Sequence, residues 1–301
     1  MDNKIIVKIR GGLGNQIFQY AFAKYLGNKL NVSKIIIDTS YFAKKHIRGK
    51  ELDKLSIKEC EWSENGSLFF DLTYFLYRCL DRLSHHKQIF HFPKYVFNTG
   101  LFFCDKVIEI NQIPPISRAF VAGYFQQEKI IRNVANELKE IIVPKIPLSK
   151  AASDYHGLIC EGTCIAISIR AGDDYLKFGW PMCSKEYYRE GLKKLVKRFP
   201  SSKIFVFSDC ISKVKDEEWF KEWNVEYIVN CSSTESLYLL SQCSNYVIAN
   251  STFSWLGAYL SANKDRVIIA PRYFYKDIEM KSGGLHIPGC IYQDNQSGKE
   301  T

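Results

Sequence analysis

Apolar residues along this chain fall into two patterns: short unbroken runs, and longer stretches where they recur every three or four positions. The first run, Lys4 to Arg10 (KIIVKIR), predicts a buried strand that leads straight into Gly11-Gly12-Leu13-Gly14-Asn15-Gln16. Phe18, Phe22, Tyr25, Leu26 and Leu30 then share one helical face, and Lys34 to Asp38 (KIIID) closes a βαβ unit. Residues 39 to 118 alternate less cleanly and allow no firm placement of elements. Within them, Ser67 to Leu83 is strongly apolar but interrupted by Asp71, Arg78, Asp81 and Arg82. Those charges leave it short of a transmembrane span, and a buried amphipathic helix is expected in preference to a membrane-surface one. Arg118 to Tyr124 (RAFVAGY) predicts another strand, and Lys129 to Ile142 a helix.

Pro144 and Pro147 punctuate the chain, because proline ends helices and stiffens linkers. They set the expected domain boundary: residues 1–148 on the N-terminal side, residues 149–301 on the C-terminal side. Beyond them the alternation is regular. Strands are predicted at Cys164 to Arg170, Lys203 to Ser208, Glu226 to Val229, Tyr246 to Ala249 and Arg266 to Ala270. Between them come a helix capped by Ser184, a helix over Val214 to Trp223, and a helix opened by the Ser232-x-x-Glu235 capping box. Such alternation implies a parallel sheet covered by helices on both faces, with ligands beyond the carboxyl ends of its strands. The polar tail from Gln293 to Thr301 is expected to fray.

Composition narrows the classes. A chain of 301 residues exceeds one ordinary domain, and 46% hydrophobic residues with 14% aromatics describe a folded protein. Its net charge of +9 favours an anionic partner. The absence of an arginine-rich run or a zinc module favours a phosphorylated small molecule or a lipid over nucleic acid. Ten cysteines without a C-x-x-C pair, after an N-terminus with no signal-peptide pattern, read as reduced thiols of a cytoplasmic protein. Cys160 and Cys164 have poor zinc spacing, and His85, His86 and His91 read as solvated surface.

Candidate chemistry gathers at the predicted strand ends. In Ile167 to Tyr175 (ISIRAGDDY), Arg170 is delivered by a buried strand to a small-residue turn, where its planar fork suits phosphate oxygens. An ordinary turn with a surface ion pair has the same sequence. Asn250, Ser251, Thr252 and Ser254 precede a helical stretch and can hold a phosphate at a helix N-terminus, or simply cap it. Asp209 can accept hydrogen bonds from a nucleoside, or cap a helix. No D-x-D triplet is present to ligate a metal ion, so metal-free chemistry is expected.

GGLGNQIFQYA (from Gly11), ELDKLSI (from Glu51), AGYFQQEK (from Ala122), ISIRAGDDY, FSDC (from Phe207) and NSTFSWLGAYL (from Asn250) stand in this order. The set resembles the bacterial α-1,2-fucosyltransferases of glycosyltransferase family 11 from about Gly11 to about Pro271. The resemblance implies a GT-B α/β architecture, with two Rossmann-like domains facing a central cleft and GDP-L-fucose on the C-terminal one. It implies inverting transfer of fucose to the 2-hydroxyl of a galactoside, without a cofactor or metal. Arg170 would hold the pyrophosphate and stabilise the departing GDP, Asp209 would contact the nucleoside, and Ser251, Thr252 and Ser254 the phosphates, with Ser168 and Asn250 beside the donor. Asp173 would take the acceptor proton. Gly11, Gly12, Gly14, Asn15 and Gln16, with Gln126 and Glu128, would face the cleft from the acceptor side.

Three departures mark this chain. The family's H-x-R-R-G-D is Ser168-Ile169-Arg170-Ala171-Gly172-Asp173 here, its F-S-D-D is Phe207-Ser208-Asp209-Cys210, and its double tryptophan is Trp255-Leu256. They motivate two further readings: another nucleotide-sugar donor on the same fold, or a homologue that binds sugar nucleotides without turnover. A more distant reading, an NAD-dependent dehydrogenase, rests on Gly12, Gly14 and Asp38, with Ile17 in place of the third glycine. The expected partners are the donor and a galactose-containing, lipid-linked glycan precursor, reached by peripheral contact with the inner face of an anionic membrane.

Overall fold

The computed structural model describes residues 3–43, 49–84, 100–104, 118–172, 182–215, 217–275, 278–281 and 283–301. The chain divides into two α/β units, one of residues 1–53 and 57–138, the other of residues 54–56 and 139–301. That division falls ten residues before the line drawn from the prolines. The reason is local: Ser56 N–H donates to the Ile141 and Val143 carbonyls (both 3.1 Å) and Lys145 N–H to Lys54 (2.8 Å), so the Pro144 segment is bonded to residues 54–56.

The first unit holds β1 (Lys4–Lys8), α1 (Leu13–Leu30), β2 (Ile35–Asp38), β3 (Cys60–Ser63), α2 (Leu68–Ser84), β4 (Leu101–Cys104), β5 (Arg118–Gly123) and α3 (Glu128–Asn133). Its sheet is parallel with order β3-β2-β1-β5-β4. Ile5 and Val7 share one face of β1 with Ile9 just past its end, and all three are fully buried, while on the other face Ile6 is half-buried and Lys8 is buried against Asp38. Phe70, Tyr74 and Tyr77 on one side of α2 pack with Phe103 and Ala122.

The helix α4 (Ala135–Ile141) leads into the second unit. There follow α5 (Lys150–Cys160), β6 (Cys164–Ile169), α6 (Lys185–Arg198), β7 (Lys203–Ser208), β8 (Val225–Tyr227), α7 (Ser233–Gln242), β9 (Asn245–Val247), α8 (Thr252–Tyr259) and β10 (Ile268–Pro271). A short antiparallel pair, β11 (Tyr273–Tyr275) and β12 (Ile278–Glu279), precedes β13 (Ile291–Gln293). The sheet is parallel, in the order β13-β10-β9-β6-β7-β8. Every residue of β6 is buried, and Ile165, Ile167 and Ile169 meet Tyr187, Tyr188, Leu192 and Leu195 of α6 in one core. Two parallel-sheet units of this kind are the Rossmann-like pair that the sequence implies. Gly257 brings α8 close against α7, since a Cβ there would lie 2.5 Å from Leu240 Cδ2.

Two expectations are corrected. Val214 to Trp223 is not an α-helix; short 3₁₀ turns cover Ile211–Lys213 and Glu218–Glu222, and Trp219 stacks on Phe220 at 3.8 Å. The tail from Gln293 does not fray. Asn295 is buried, its amide pairs with both backbone groups of Tyr273 (2.9 Å each), and Ser184 N–H donates to its carbonyl.

Ser184 and Ser232 cap their helices as predicted, each accepting from the backbone N–H three residues on. Glu235 does more than complete its capping box. It also accepts from Ser149 N–H at 2.7 Å, where α5 begins. Partial burial works against its ionisation, but the bonds from Ser149 and Ser232 win and hold its pKa at about 2 against an ordinary 4.5. The native protein therefore binds fewer protons than the unfolded chain between those values. The stabilisation, about 2 kcal/mol, is whole above about pH 4.5 and lost as pH falls toward 2. In thermal melts, wild type should lose stability more steeply than Glu235→Ala over that window; parallel curves would remove the role.

Candidate functional site

In the second unit the site is built where β6, β7 and β9 end. Arg170 follows β6 and Asp209 follows β7; these strands pair in register from Cys164 and Lys203 to Ile169 and Ser208, so the two side chains emerge as neighbours. Arg170 Nη1 lies 3.1 Å from Asp209 Oδ2, with the side chains only 17% and 13% exposed. The other carboxylate oxygen, Oδ1, accepts from the N–H groups of Ala171 (2.8 Å) and Gly172 (3.2 Å). One aspartate thus fixes both the guanidinium and the turn that carries it. Tyr188, whose hydroxyl accepts from Arg170 N–H at 3.5 Å, supports the same turn from α6.

The N-terminus of α8 lies beside this pair. Ser168, two residues before Arg170, shares a 2.7 Å hydrogen bond with Ser254 in the first turn of α8, both buried. Ser251 is the N-cap residue, yet its hydroxyl makes no capping bond, so plain capping does not account for it. Thr252 opens the helix, and its N-terminal N–H groups carry the positive end of the helix dipole. Asn250 is buried and donates to the Phe274 carbonyl at 3.3 Å. Of the donor-side residues, Ser168, Arg170, Asp209, Ser251, Thr252 and Ser254 thus sit together, while Asn250 anchors the neighbouring β11. Asp173 lies outside the described residues, as do His85, His86 and His91.

The first unit carries a parallel arrangement at the end of β1. Gly11 adopts φ +77, and a Cβ there would sit 3.0 Å from Asn15 Nδ2, so glycine is required. Gln16 is fully buried. Its amide donates to the Gly11 (2.7 Å) and Gly49 (2.9 Å) carbonyls and accepts from Glu51 (3.1 Å) and Leu52 (3.0 Å) N–H, tying the glycine turn to the start of the ELDKLSI stretch. Gln126 donates to Asn15 Oδ1 at 3.0 Å. It follows Phe125, a non-glycine residue at φ +47 held by a 4.0 Å stack on Phe22. Glu128 begins α3, near Arg132. Gly12 is the N-cap of α1, and Gly14 is buried in its first turn.

Sequence reasoning missed Arg10. Its backbone N–H and carbonyl are bonded by Gln19 (2.8 and 3.3 Å), and its guanidinium lies over the rings of Tyr74 (5.3 Å) and Tyr124 (4.6 Å). The signal was available: Arg10-Gly11-Gly12 ends a strand as Arg170-Ala171-Gly172 does. Asp38, the acid of the dehydrogenase reading, is buried, lies 3.4 Å from Lys8 Nζ and accepts from Ser40 N–H, so it is not offered to a ribose. Lys8 also pairs with Asp71. Among the described residues, no three His, Cys, Asp or Glu side chains gather as metal ligands would.

Comparison with known proteins finds matches across most of the chain. The sequence model of Glycosyl transferase family 11 matches residues 4–292. An Escherichia coli alpha-1,2-colitosyltransferase is 28% identical over 295 residues, covering 92% of this chain and 94% of its own. The O-antigen biosynthesis glycosyltransferase WbnK of Escherichia coli is 28% identical over 305 residues, covering 89% and 93%. Among solved structures, POFUT1 in complex with GDP aligns with a TM-score of 0.52 at 13% identity, over 89% of this chain and 98% of that one. The fucosyltransferase NodZ from Bradyrhizobium aligns with a TM-score of 0.51 at 12% identity, over 87% and 94%. At such identities the structural likeness is one of fold, and these are fucosyltransferases of the GT-B kind.

Proposed function

The chain belongs to glycosyl transferase family 11, and from that premise we propose that it transfers L-fucose from GDP-L-fucose, with inversion, to the 2-hydroxyl of a galactoside in a surface-glycan precursor. The observation that carries the reading is the Arg170–Asp209 pair beside the N-terminus of α8. A cation of fixed orientation, an uncommitted Ser251 hydroxyl and a helix N-terminus together suit a diphosphate. The relatives add their own activities: alpha-1,2 transfer in one and O-antigen synthesis in another, with GDP bound in the POFUT1 structure.

In the reaction the acceptor oxygen attacks the anomeric carbon from the face opposite the diphosphate. The new C–O bond forms as the bond to the phosphate oxygen breaks, and negative charge grows on the departing GDP. Arg170 and the α8 N-terminus neutralise that charge as it develops, which is where preorganised electrostatics contributes most. Asp209 holds the guanidinium in place and acts as a positioning residue. Asp173, a carboxylate of the family pattern, is assigned the acceptor proton. The reading includes no metal, because the sequence offers no D-x-D pair and Arg170 supplies positive charge.

A second reading changes only the sugar. It is favoured by the colitosyltransferase relative and by the Ser168–Ser254 bond, which occupies the position of the family's histidine. The test is release of the nucleoside diphosphate in the presence of EDTA, GDP from GDP-fucose, GDP-colitose and GDP-mannose and UDP from UDP-galactose, with each donor offered to a panel of β-galactosides. Acceptor-dependent release from GDP-fucose alone is expected. Turnover of GDP-colitose alone would establish the second reading, a requirement for added magnesium would overturn the metal-free one, and binding of GDP-fucose with no turnover of any donor would overturn the assignment as an enzyme.

A further inference from the structure

Helix α2 has two apolar sides, and only one of them is used by the fold. Phe70, Tyr74 and Tyr77 face the core of the first unit. On the other side Leu68, Phe69, Leu72, Phe75, Leu76 and Leu80 are 46% to 86% exposed. At 100° per residue these six fall within an arc of about 140°, a continuous stripe along three turns. The expectation of a buried amphipathic helix is therefore only half met. We propose that this outer stripe docks the protein on an anionic lipid surface, with α2 lying in the plane of the headgroups.

Charge favours a bilayer over a second copy of the chain. The protein carries +9; α2 itself is balanced, with Asp71 and Asp81 against Arg78 and Arg82, and the sequence that follows it to Gly100 adds Lys87 and Lys94 with no acid. Such a segment is attracted by anionic headgroups and repelled by its own duplicate. Area points the same way. Six partly exposed side chains on one helix present on the order of 600 Å², at the top of the range for the largest apolar patch of an ordinary monomer. A stable protein interface needs about 800 Å² from each partner. No helix among the described residues is long and apolar enough to cross a membrane, so contact of this kind would be along the surface. The inference does not depend on which sugar is transferred.

Vesicle flotation of the full chain, without donor or acceptor, tests it. Wild type should float with vesicles of phosphatidylcholine containing phosphatidylglycerol, much less with phosphatidylcholine alone, and less as salt is raised. The double variant Leu72→Glu, Phe75→Glu changes two exposed positions and leaves the buried side of α2 intact. It should bind the anionic vesicles at least about tenfold more weakly, with an unchanged circular dichroism spectrum and unchanged GDP release with a soluble acceptor. Failure of wild type to float, or flotation of the variant equal to wild type, overturns the proposal. A wild-type dimer in light scattering that becomes a monomer in the variant also overturns it, by assigning the stripe to a second copy.

Discussion

Arg170→Ala should reduce transfer about a thousandfold while leaving the protein folded. The size follows from what the residue does in the proposed reaction: it meets charge that appears only as GDP departs, and deleting a single preorganised donor from such a site costs about a hundred- to a thousandfold in turnover. The fold should tolerate the loss, because Asp209 keeps its two backbone donors, Ala171 and Gly172 N–H. Arg170→Lys should fall between the two, since lysine retains the charge and loses the planar fork. Asp209 can then be separated from Arg170 by a double-mutant cycle. Asp209→Asn should lower kcat about ten- to a hundredfold by freeing the guanidinium, yet add little to Arg170→Ala, because a positioning residue has nothing left to position. A folded Arg170→Ala enzyme with near-normal turnover would remove the arginine from the mechanism. Fully additive losses would give Asp209 a contact of its own with the nucleoside, as the family resemblance implies.

The strands were legible because a parallel strand buried on both faces leaves a nearly continuous apolar run: KIFVFS has one in Ile204 to Phe207, and KIIVKIR and CIAISIR are each interrupted once, by Lys8 and by Ser168. β13 was not. Its three residues end in Gln293, and the polar stretch after it has the composition of a solvated tail, although Asn295 spends its amide on the backbone of Tyr273. Whether a polar side chain faces water or replaces a sheet bond depends on contacts distant in sequence. The same gap separates the two halves of the candidate site. Arg170 and Asp209 were each recognisable, but every one of them alone reads as a turn residue, and only the in-register pairing of β6 with β7 joins them. Helix α2 shows the converse limit. Periodicity marks a helical face, but a helix apolar on two sides does not say which one the core takes.

Gln16 lies at that limit too, because GGLGNQ suggests a side chain turned toward ligand and the structure turns it inward. Gln16→Ala should open the glycine turn, since it strands two carbonyls, Gly11 and Gly49, and two N–H groups, Glu51 and Leu52, at a site with no solvent exposure. Each unsatisfied buried group costs about 1–3 kcal/mol, and with water admitted to the gap the net loss should be about 3 kcal/mol. Hydrogen exchange reads it locally: the Glu51 and Leu52 amides should exchange about a hundredfold faster, while amides of β6 in the second unit stay as they were. Gln16→Glu separates hydrogen bonding from size. A carboxylate can still accept from Glu51 and Leu52, but it sets acceptor against acceptor at Gly11 and Gly49 and buries a charge, so at neutral pH it should destabilise at least as much as alanine. Lowering the pH should recover part of that loss, because the protonated acid regains one donor. Unchanged exchange at Glu51 and Leu52 in Gln16→Ala would show that the turn stands without its amide, and would return Gln16 to the residues available for the acceptor.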